Sequence, residues 1–340
     1  MLARVTRWDM DVTSTAGTFT IREATDADAD AIVAVLNTDA PQPTSAEAYL
    51  ERERQANRQP TWRTRWALED ADGQIVGTSV VNASQWVRAD EHILQLVVAP
   101  HARSRGYGAA LLAASRDAAR AQGAARLRTN IRDAHPDVRA WAERQGFTLL
   151  YHKFESTLDL AAFDERAHGD VDGALARAGI QLTDMVALGG DDANWTRLHD
   201  FFADRLTETP DMKGMPRWTR EQVRQALLDE DAQPEWTVVA RRGEQWLGFS
   251  ILTRHPRGAY NFITAVRPEA RGVGLGRALK VEVIRRARAA GFTSMLTHNL
   301  SVNASMLAVN RRLGFEPRPG LWVMTGSTSW AVGGAGDGAH

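Results

Sequence analysis

Gln95–Leu112 reads QLVVAPHARSRGYGAALL, and the fold follows from how this stretch is read. Leu96-Val97-Val98 is a short apolar run of the kind that forms a buried strand. Pro100 and a basic loop follow, with glycines in the pattern Arg103-x-x-Gly106-x-Gly108. From Gly108 an Ala/Leu-rich sequence predicts a helix to Gln122, ended by Gly123. The order is strand, glycine loop, helix. The loop amides and the unbonded N–H groups of the helix start converge on one spot, where the dipole favours an anion. The pattern predicts a phosphate cradle.

The stretch has an echo. Ile263–Leu279 reads ITAVRPEARGVGLGRAL, and the pattern returns as Arg271-x-x-Gly274-x-Gly276, shifted by 168 residues. The same shift carries Pro100 to Pro268, Gly123 to Gly291, Thr129 to Thr297 and Gly146-Phe147 to Gly314-Phe315. Residues 98–147 and 266–315 share 17 identities in 50 ungapped positions. Ala and Arg inflate that count, but the coincident Gly, Pro and Phe do not come from composition. This is an internal repeat at domain scale.

Working outward, the 340 residues suit two domains of roughly 150 each. At 44% hydrophobic and 24% charged, the composition is that of a globular protein. A net charge of −1 argues against nucleic acid or an anionic membrane as the partner. The sequence holds no Cys, which excludes disulfides, Cys–zinc sites and a Cys nucleophile. The histidines show no metal-ligand spacing. MLARVTRWDMDVTSTAG carries acids and no apolar core, so no secretory leader is expected and the cytoplasm is the expected location.

Each half reads β-α-α-β-β-β-loop-α-β-α-β. Turns at Asp72-Gly73 and Arg242-Gly243 join hairpins. Hairpins followed by crossover helices imply a mixed sheet with helices on its faces, an α/β (α+β) fold. Residues 1–17 read as a loose segment, 18–160 and 179–326 as the two domains, 161–178 as a linker, and 327–340 as a disordered Gly-rich tail.

These residues resemble the GNAT N-acetyltransferases. The resemblance rests on the Arg-x-x-Gly-x-Gly loop between the fourth strand and the next helix of each half. In the second half it extends through Thr264-Ala-Val266-x-Pro268, Thr297-x-Asn299 and Asn303-x-x-Met306-x-x-x-Asn310-x-x-Leu313-Gly314-Phe315. The first half carries His135 and Ala142 where the second has Asn303 and Asn310. As a tandem pair, residues 18–326 resemble mycothiol synthases and other small-molecule acetyltransferases.

The resemblance implies acetyl-CoA as cofactor. Its pyrophosphate would lie on Arg271, Gly272, Val273, Gly274, Leu275, Gly276 and Arg277, and in the first half on Arg103, Arg105, Gly106, Tyr107, Gly108 and Ala109. The pantetheine would run along Thr264, Ala265 and Val266, or Val97 and Val98, where the family's strand splays from its neighbour. Asn303 and Asn310 would contact the cofactor. A backbone N–H near Val98 or Val266 would stabilise the oxyanion.

An alkyl ammonium must lose a proton before it attacks, so a base or water relay is expected. The resemblance implies a Glu base eleven positions before the loop arginine, but His92 and Tyr260 stand there. They are the candidate catalytic residues: His92 titrates in the right range, and Tyr260 can position water or substrate. Glu91 reads as a solvated charge. The family's Tyr acid is absent, its positions being Ala142 and Asn310. Trp8, Trp86 and Trp218 are candidate borders of an acceptor pocket. The acid-bearing, Gly/Pro-rich loop 207–216 is its candidate lid. With no Cys, direct attack in a ternary complex is favoured over an acyl-enzyme.

The reading is an acetyl-CoA-dependent N-acetyltransferase acting on a small-molecule amine, with the second half as the working site. A homodimer is compatible with it. Two alternatives stay open: a non-catalytic acyl-CoA-binding regulatory protein, and a protein or peptide N-acetyltransferase.

Overall fold

The computed structural model describes residues 10–14, 17–38, 40–58, 61–84 and 86–329. Trp8, most of the expected loose segment and the tail from 330 lie outside these residues. Two compact units emerge: 1–131 with 135–150 and 322–340, and 132–134 with 151–321.

The first unit begins with β1 (Met10–Ser14) and β2 (Gly17–Glu23), paired antiparallel, so part of the segment expected to be loose is strand. Then come α1 (Ala29–Asn37), α2 (Ala46–Arg58), β3 (Arg63–Glu69), β4 (Ile75–Asn82) and β5 (Glu91–Val98). The loop leads into α3 (Tyr107–Ala121), followed by β6 (Arg126–Arg132) and α4 (Pro136–Arg144). Sheet order is β1-β2-β3-β4-β5-β6. The pairs from β1 to β5 are antiparallel, and β5–β6 is parallel because α3 crosses over between them. Leu68, Leu111, Leu112 and Leu127 are fully buried between the sheet and α3.

The second unit takes β7 (Thr148–Asp159) from residue 151 on, then α5 (Val171–Arg177), β8 (Gln181–Asp184), α6 (Asp192–Leu206), α7 (Arg220–Asp229), β9 (Thr237–Arg242), β10 (Gln245–His255) and β11 (Gly258–Val266). Next are α8 (Leu275–Ala289), β12 (Ser294–Leu300) and α9 (Ala304–Arg312); β13 (Glu316–Ser327) belongs to this unit up to Leu321 and to the first unit from Trp322. Sheet order is β8-β9-β10-β11-β12-β7, with β11–β12 its parallel pair. One face packs α8 over Val238, Leu247, Leu252 and Ala259. The other packs α6 and α7 through Phe201, Phe202, Trp218 and Val223 against Val239, Phe249 and Ile251.

Packing divides the chain differently from the repeat. The last strand of each half completes the other unit. Residues Lys153–Asp159 pair antiparallel with β12, and Leu158 and Leu160 lie in the α8-side core. From β13, Met324 (0% exposed) packs with Leu127 and Phe147 of the first unit, and the Thr325 hydroxyl donates to Glu91 at 3.0 Å. The stretch expected to be a linker is also built in. Phe163, Val171 and Leu175 are buried in the second unit's core, and Asp170 caps α5 by accepting from the Gly173 N–H at 2.7 Å.

Candidate active site

In the second unit β11 pairs with β10 along its length, with a bulge opposite Ile251/Leu252. Toward β12 it pairs only through Ala259↔Met295 and Tyr260↔Leu296. Beyond Tyr260 the two strands part, so that edge of 261–266 has no ladder among the described residues. One side chain bridges the gap: the Thr297 hydroxyl donates to the Asn261 carbonyl at 3.0 Å. Main-chain groups along this edge therefore need partners from elsewhere.

The strand ends at Val266, and the chain turns through Pro268–Ala270 into the glycine loop. Gly272 (φ 85°) and Gly274 (φ 84°) hold left-handed backbone, a conformation costly for a residue with a Cβ. Gly274 is the N-cap of α8, and no side chain caps it, so the first-turn N–H groups are open to an anion. A Cβ on Gly276 would meet only Val266 Cγ2, at 3.8 Å, so a larger side chain there enters the loop space and not the core. Arg271 donates through Nε to the Val266 carbonyl at 3.2 Å, and its guanidinium pairs with Glu208 of the candidate lid. Val273 is 63% exposed. Asn303 caps α9 by accepting from the Met306 N–H at 3.3 Å. Asn310 is buried and donates to Asn299 Oδ1 at 2.6 Å, while its own Oδ1 has no hydrogen-bond partner. A glycine cradle, an uncapped helix start, an unladdered strand edge and a buried orphan acceptor are all features that suit acetyl-CoA.

The first unit repeats the plan with changes. β5 and β6 pair only from Glu91↔Arg126 to Leu94↔Thr129, leaving Gln95–Val98 beyond the split. Gly106 (φ 80°) is the uncapped N-cap of α3, and Arg103 donates to the Val98 carbonyl at 3.2 Å. Here, however, a Cβ on Gly108 would meet the Trp141 indole at 3.3 Å. The repeat shift places Val309 at the position of Trp141. An indole thus crowds the α3 start where the second unit has a smaller side chain. Tyr107 is a core residue, edge-on to Phe19 at 5.3 Å.

The two candidate bases sit in different units and in different surroundings. His92 is 5% exposed, stacked on Trp62 at 5.2 Å, with Nδ1 unpartnered. Burial pushes its pKa down. Tyr260 is the last residue of β11 that pairs with β12, and its hydroxyl lies 2.9 Å from His298 Nδ1. Burial, and then the charges of Glu230 and Glu155, push the phenol above its ordinary range. His298 is lowered, by desolvation first and then by Lys153. His298 is not among the expected site residues; it is the unnamed middle position of Thr297-x-Asn299. The first repeat has Asn130 there, and that difference was the available signal.

Other expectations need correction. Glu91 is not solvated: it is 3% exposed and paired with Arg128 at 2.5 Å, because β6 and β13 cover it. Trp218 is 4% exposed in the α6–α7 core, which takes it away from any pocket wall. Trp86 is 48% exposed. The 207–216 loop is anchored by buried Met212. A hollow lined by Arg197, Asp200, Asp204, Trp246 and Arg267 holds two acids, but Arg217 and Arg220 already pair them. Among the described residues no acidic or histidine cluster could hold a metal, and no helix is long and apolar enough to cross a membrane.

Comparison with known proteins bears on the family and the fold. The profile of the Acetyltransferase (GNAT) family matches residues 29–147, and that of an Acetyltransferase (GNAT) domain matches 172–296. A mycothiol acetyltransferase of Streptomyces scabiei is 27% identical over 296 residues, 86% of this chain and 90% of its own. Another, of Amycolatopsis mediterranei, is 28% identical over 261 residues, 72% of this chain and 78% of its own. Among solved structures, a GCN5-related N-acetyltransferase from Sphaerobacter thermophilus superposes with TM-score 0.66 at 17% identity, covering 94% of this chain and 98% of its own. A tandem GNAT protein from the clavulanic acid biosynthesis pathway gives 0.58 at 20%, covering 92% and 99%. At these identities the structures speak for the fold alone.

Proposed function

The chain belongs to the GNAT acetyltransferase family as two domains in tandem, and from that premise we propose that it transfers an acetyl group from acetyl-CoA to a primary amine of a small molecule. The observation that carries this reading is the uncapped glycine start of α8 beside a strand that leaves its neighbour after Tyr260. The Gly272–Arg277 amides would hold the pyrophosphate, and main-chain groups of Thr264–Val266 the pantetheine, with Arg271, Asn303 and Asn310 around them. In the first unit Val97, Val98, Arg103 and Arg105–Ala109 are the matching set. When bound, acetyl-CoA would supply an acyl group activated as a thioester, with the thiol as the leaving group that would carry away the bonding pair and the nitrogen's second proton. The chain's own part is to align donor and amine, to give hydrogen bonds where negative charge develops, and to remove the ammonium proton.

The name shared by the curated relatives, mycothiol acetyltransferase, supports a small-molecule acceptor over a protein one. We keep 18–160 and 179–326 as the two repeat domains, each lending its last strand to the other's unit. We place the protein in the cytoplasm, without nucleic-acid or membrane partners. The second unit is the working one, since the first has Trp141 against Gly108 and lacks both Asn303 and Asn310.

Thiol release from acetyl-CoA across a panel of small primary amines tests this reading. Gly276→Trp is expected to reduce release by about 100-fold or more, and Gly108→Trp to leave it within a few-fold, the scale of losing a positioned cofactor. Thermal unfolding checks that both variants fold. The reverse pattern would move the active centre to the first unit. Acetyl-CoA binding with no thiol release for any amine would make the protein a binder and not an enzyme of this substrate class.

A further inference from the structure

We propose that Tyr260 and His298 form a proton relay that takes the proton from the acceptor's ammonium group, an inference that rests on the acetyltransferase reading above. The two side chains meet at the apex of the split. Tyr260 is the last β11 residue paired with β12, and His298 is two residues past its partner Leu296. Neither strand carries both groups, so the pair exists only where the strands part.

The relay sets the direction of the hydrogen bond. It requires the Tyr260 hydroxyl to donate to His298 Nδ1, 2.9 Å away, with the neutral imidazole's own proton on Nε2. The phenol oxygen retains lone pairs for an incoming N–H. As the ammonium gives a proton to the Tyr260 oxygen, the Tyr260 proton passes to Nδ1. The amine nitrogen keeps its electron pair, and His298 becomes imidazolium. His298 is exposed, so the proton can leave to water.

The groups around the pair fit this direction. Lys153 from β7, His255 at the end of β10 and Arg257 in the following turn all disfavour a charged His298 at rest. Glu155 acts the other way, but it is tied to Arg257 by a two-pronged pair with one bond at 2.9 Å. His255 and Phe262 meet the Tyr260 ring edge-on at 6.2 and 6.0 Å. Glu230, just past the end of α7, acts on the phenol through its charge. Burial, and then the charge of Asp229, push Glu230 itself above its ordinary value.

Two measurements decide the matter. Nitrogen-15 histidine NMR of the unliganded protein should find neutral His298 as the Nε2–H tautomer, titrating below the ordinary value of about 6.5. An Nδ1–H tautomer would reverse the hydrogen bond and overturn the relay. The second measurement is kcat/KM against pH with an amine the protein acetylates. Wild-type rate should fall below the His298 pKa found by NMR. Tyr260→Phe and His298→Gln should each lower the rate at pH 7 by about 10²- to 10⁴-fold. Each should also move the acid limb toward the amine's own pKa of about 10. The double variant should be no worse than the singles, because the two groups act in series. A purely structural pair would change stability and leave the acid limb in place, and an unmoved limb overturns the proposal. If wild type acetylates no amine at any pH, the acetyltransferase reading falls and takes the relay with it, whatever the NMR shows.

Discussion

Lys280 shows how a single residue can set the chemistry of its surroundings. It lies on α8, 2% exposed, with Nζ donating to Asn261 Oδ1 at 2.6 Å and sitting 5.2 Å over the Phe315 ring. Asn261 also accepts from the Thr264 hydroxyl at 3.1 Å and donates to Ser250 at 3.0 Å, so one polar network holds the β11 bulge. Burial pushes Lys280 from 10.5 down to about 7. The pKa is lower in the folded state. Between pH 7 and 10.5 the unfolded chain therefore binds a proton that the folded one does not, and stability rises with pH through that window. Below pH 7 the full penalty applies, on the order of 5 kcal/mol for that gap. Lys280→Met should therefore stabilise the protein, and by more at pH 6 than at pH 10. Urea unfolding at the two pH values checks this, and an equal gain at both would contradict it.

At the scale of elements, the split strand pair is the feature on which the proposed site rests. A parallel pair that ladders for only two residues leaves an open edge, and the glycine helix start lies at the end of that edge. The residues after the glycines then differ between the copies, with Trp141 against Val309 and Ala142 against Asn310. The exchanged strand β13 is a second element with a measurable role. Met324 is 0% exposed among Leu127, Phe147 and Ala142 of the first unit. Met324→Ala should cost about 2–5 kcal/mol, the range for a buried Met truncated to Ala. Hydrogen exchange should show that loss first in β6, next to β13 in sheet order. Equal loss of protection in β9 and β10 would mean that β13 does not serve the first unit in particular.

At the scale of the whole molecule, the compact units do not coincide with the repeats. Residues 18–160 made alone lack the segment whose Thr328 N–H donates to the Ala125 carbonyl and whose Thr325 bonds Glu91. Such a fragment leaves the buried Glu91–Arg128 pair and the Leu127–Phe147 core uncovered on one side. It is expected to show no cooperative thermal transition, and the full chain is expected to show one. A fragment that melts as sharply as the full chain would show the exchanged strand to be dispensable.

How much was legible in the residues differs with scale for a physical reason. By itself the sequence determined the repeat, the element order within each repeat though not β1 or α5 outside them, the two glycine loops and the family, because these rest on local periodicity and on backbone that only glycine adopts cheaply. The hairpin turns at Gly73 (φ 72°) and Gly243 (φ 55°) stand where the residues placed them. Tertiary structure alone decided three things. It set which copy's last strand completes which sheet, since two homologous strands present similar edges and pairing is a long-range choice. It buried Glu91 and Trp218, since burial depends on what covers a position and not on the residue standing there. And it brought His298 to Tyr260, since the register between parallel strands is set by the crossover helix packed over them, which no local spacing records.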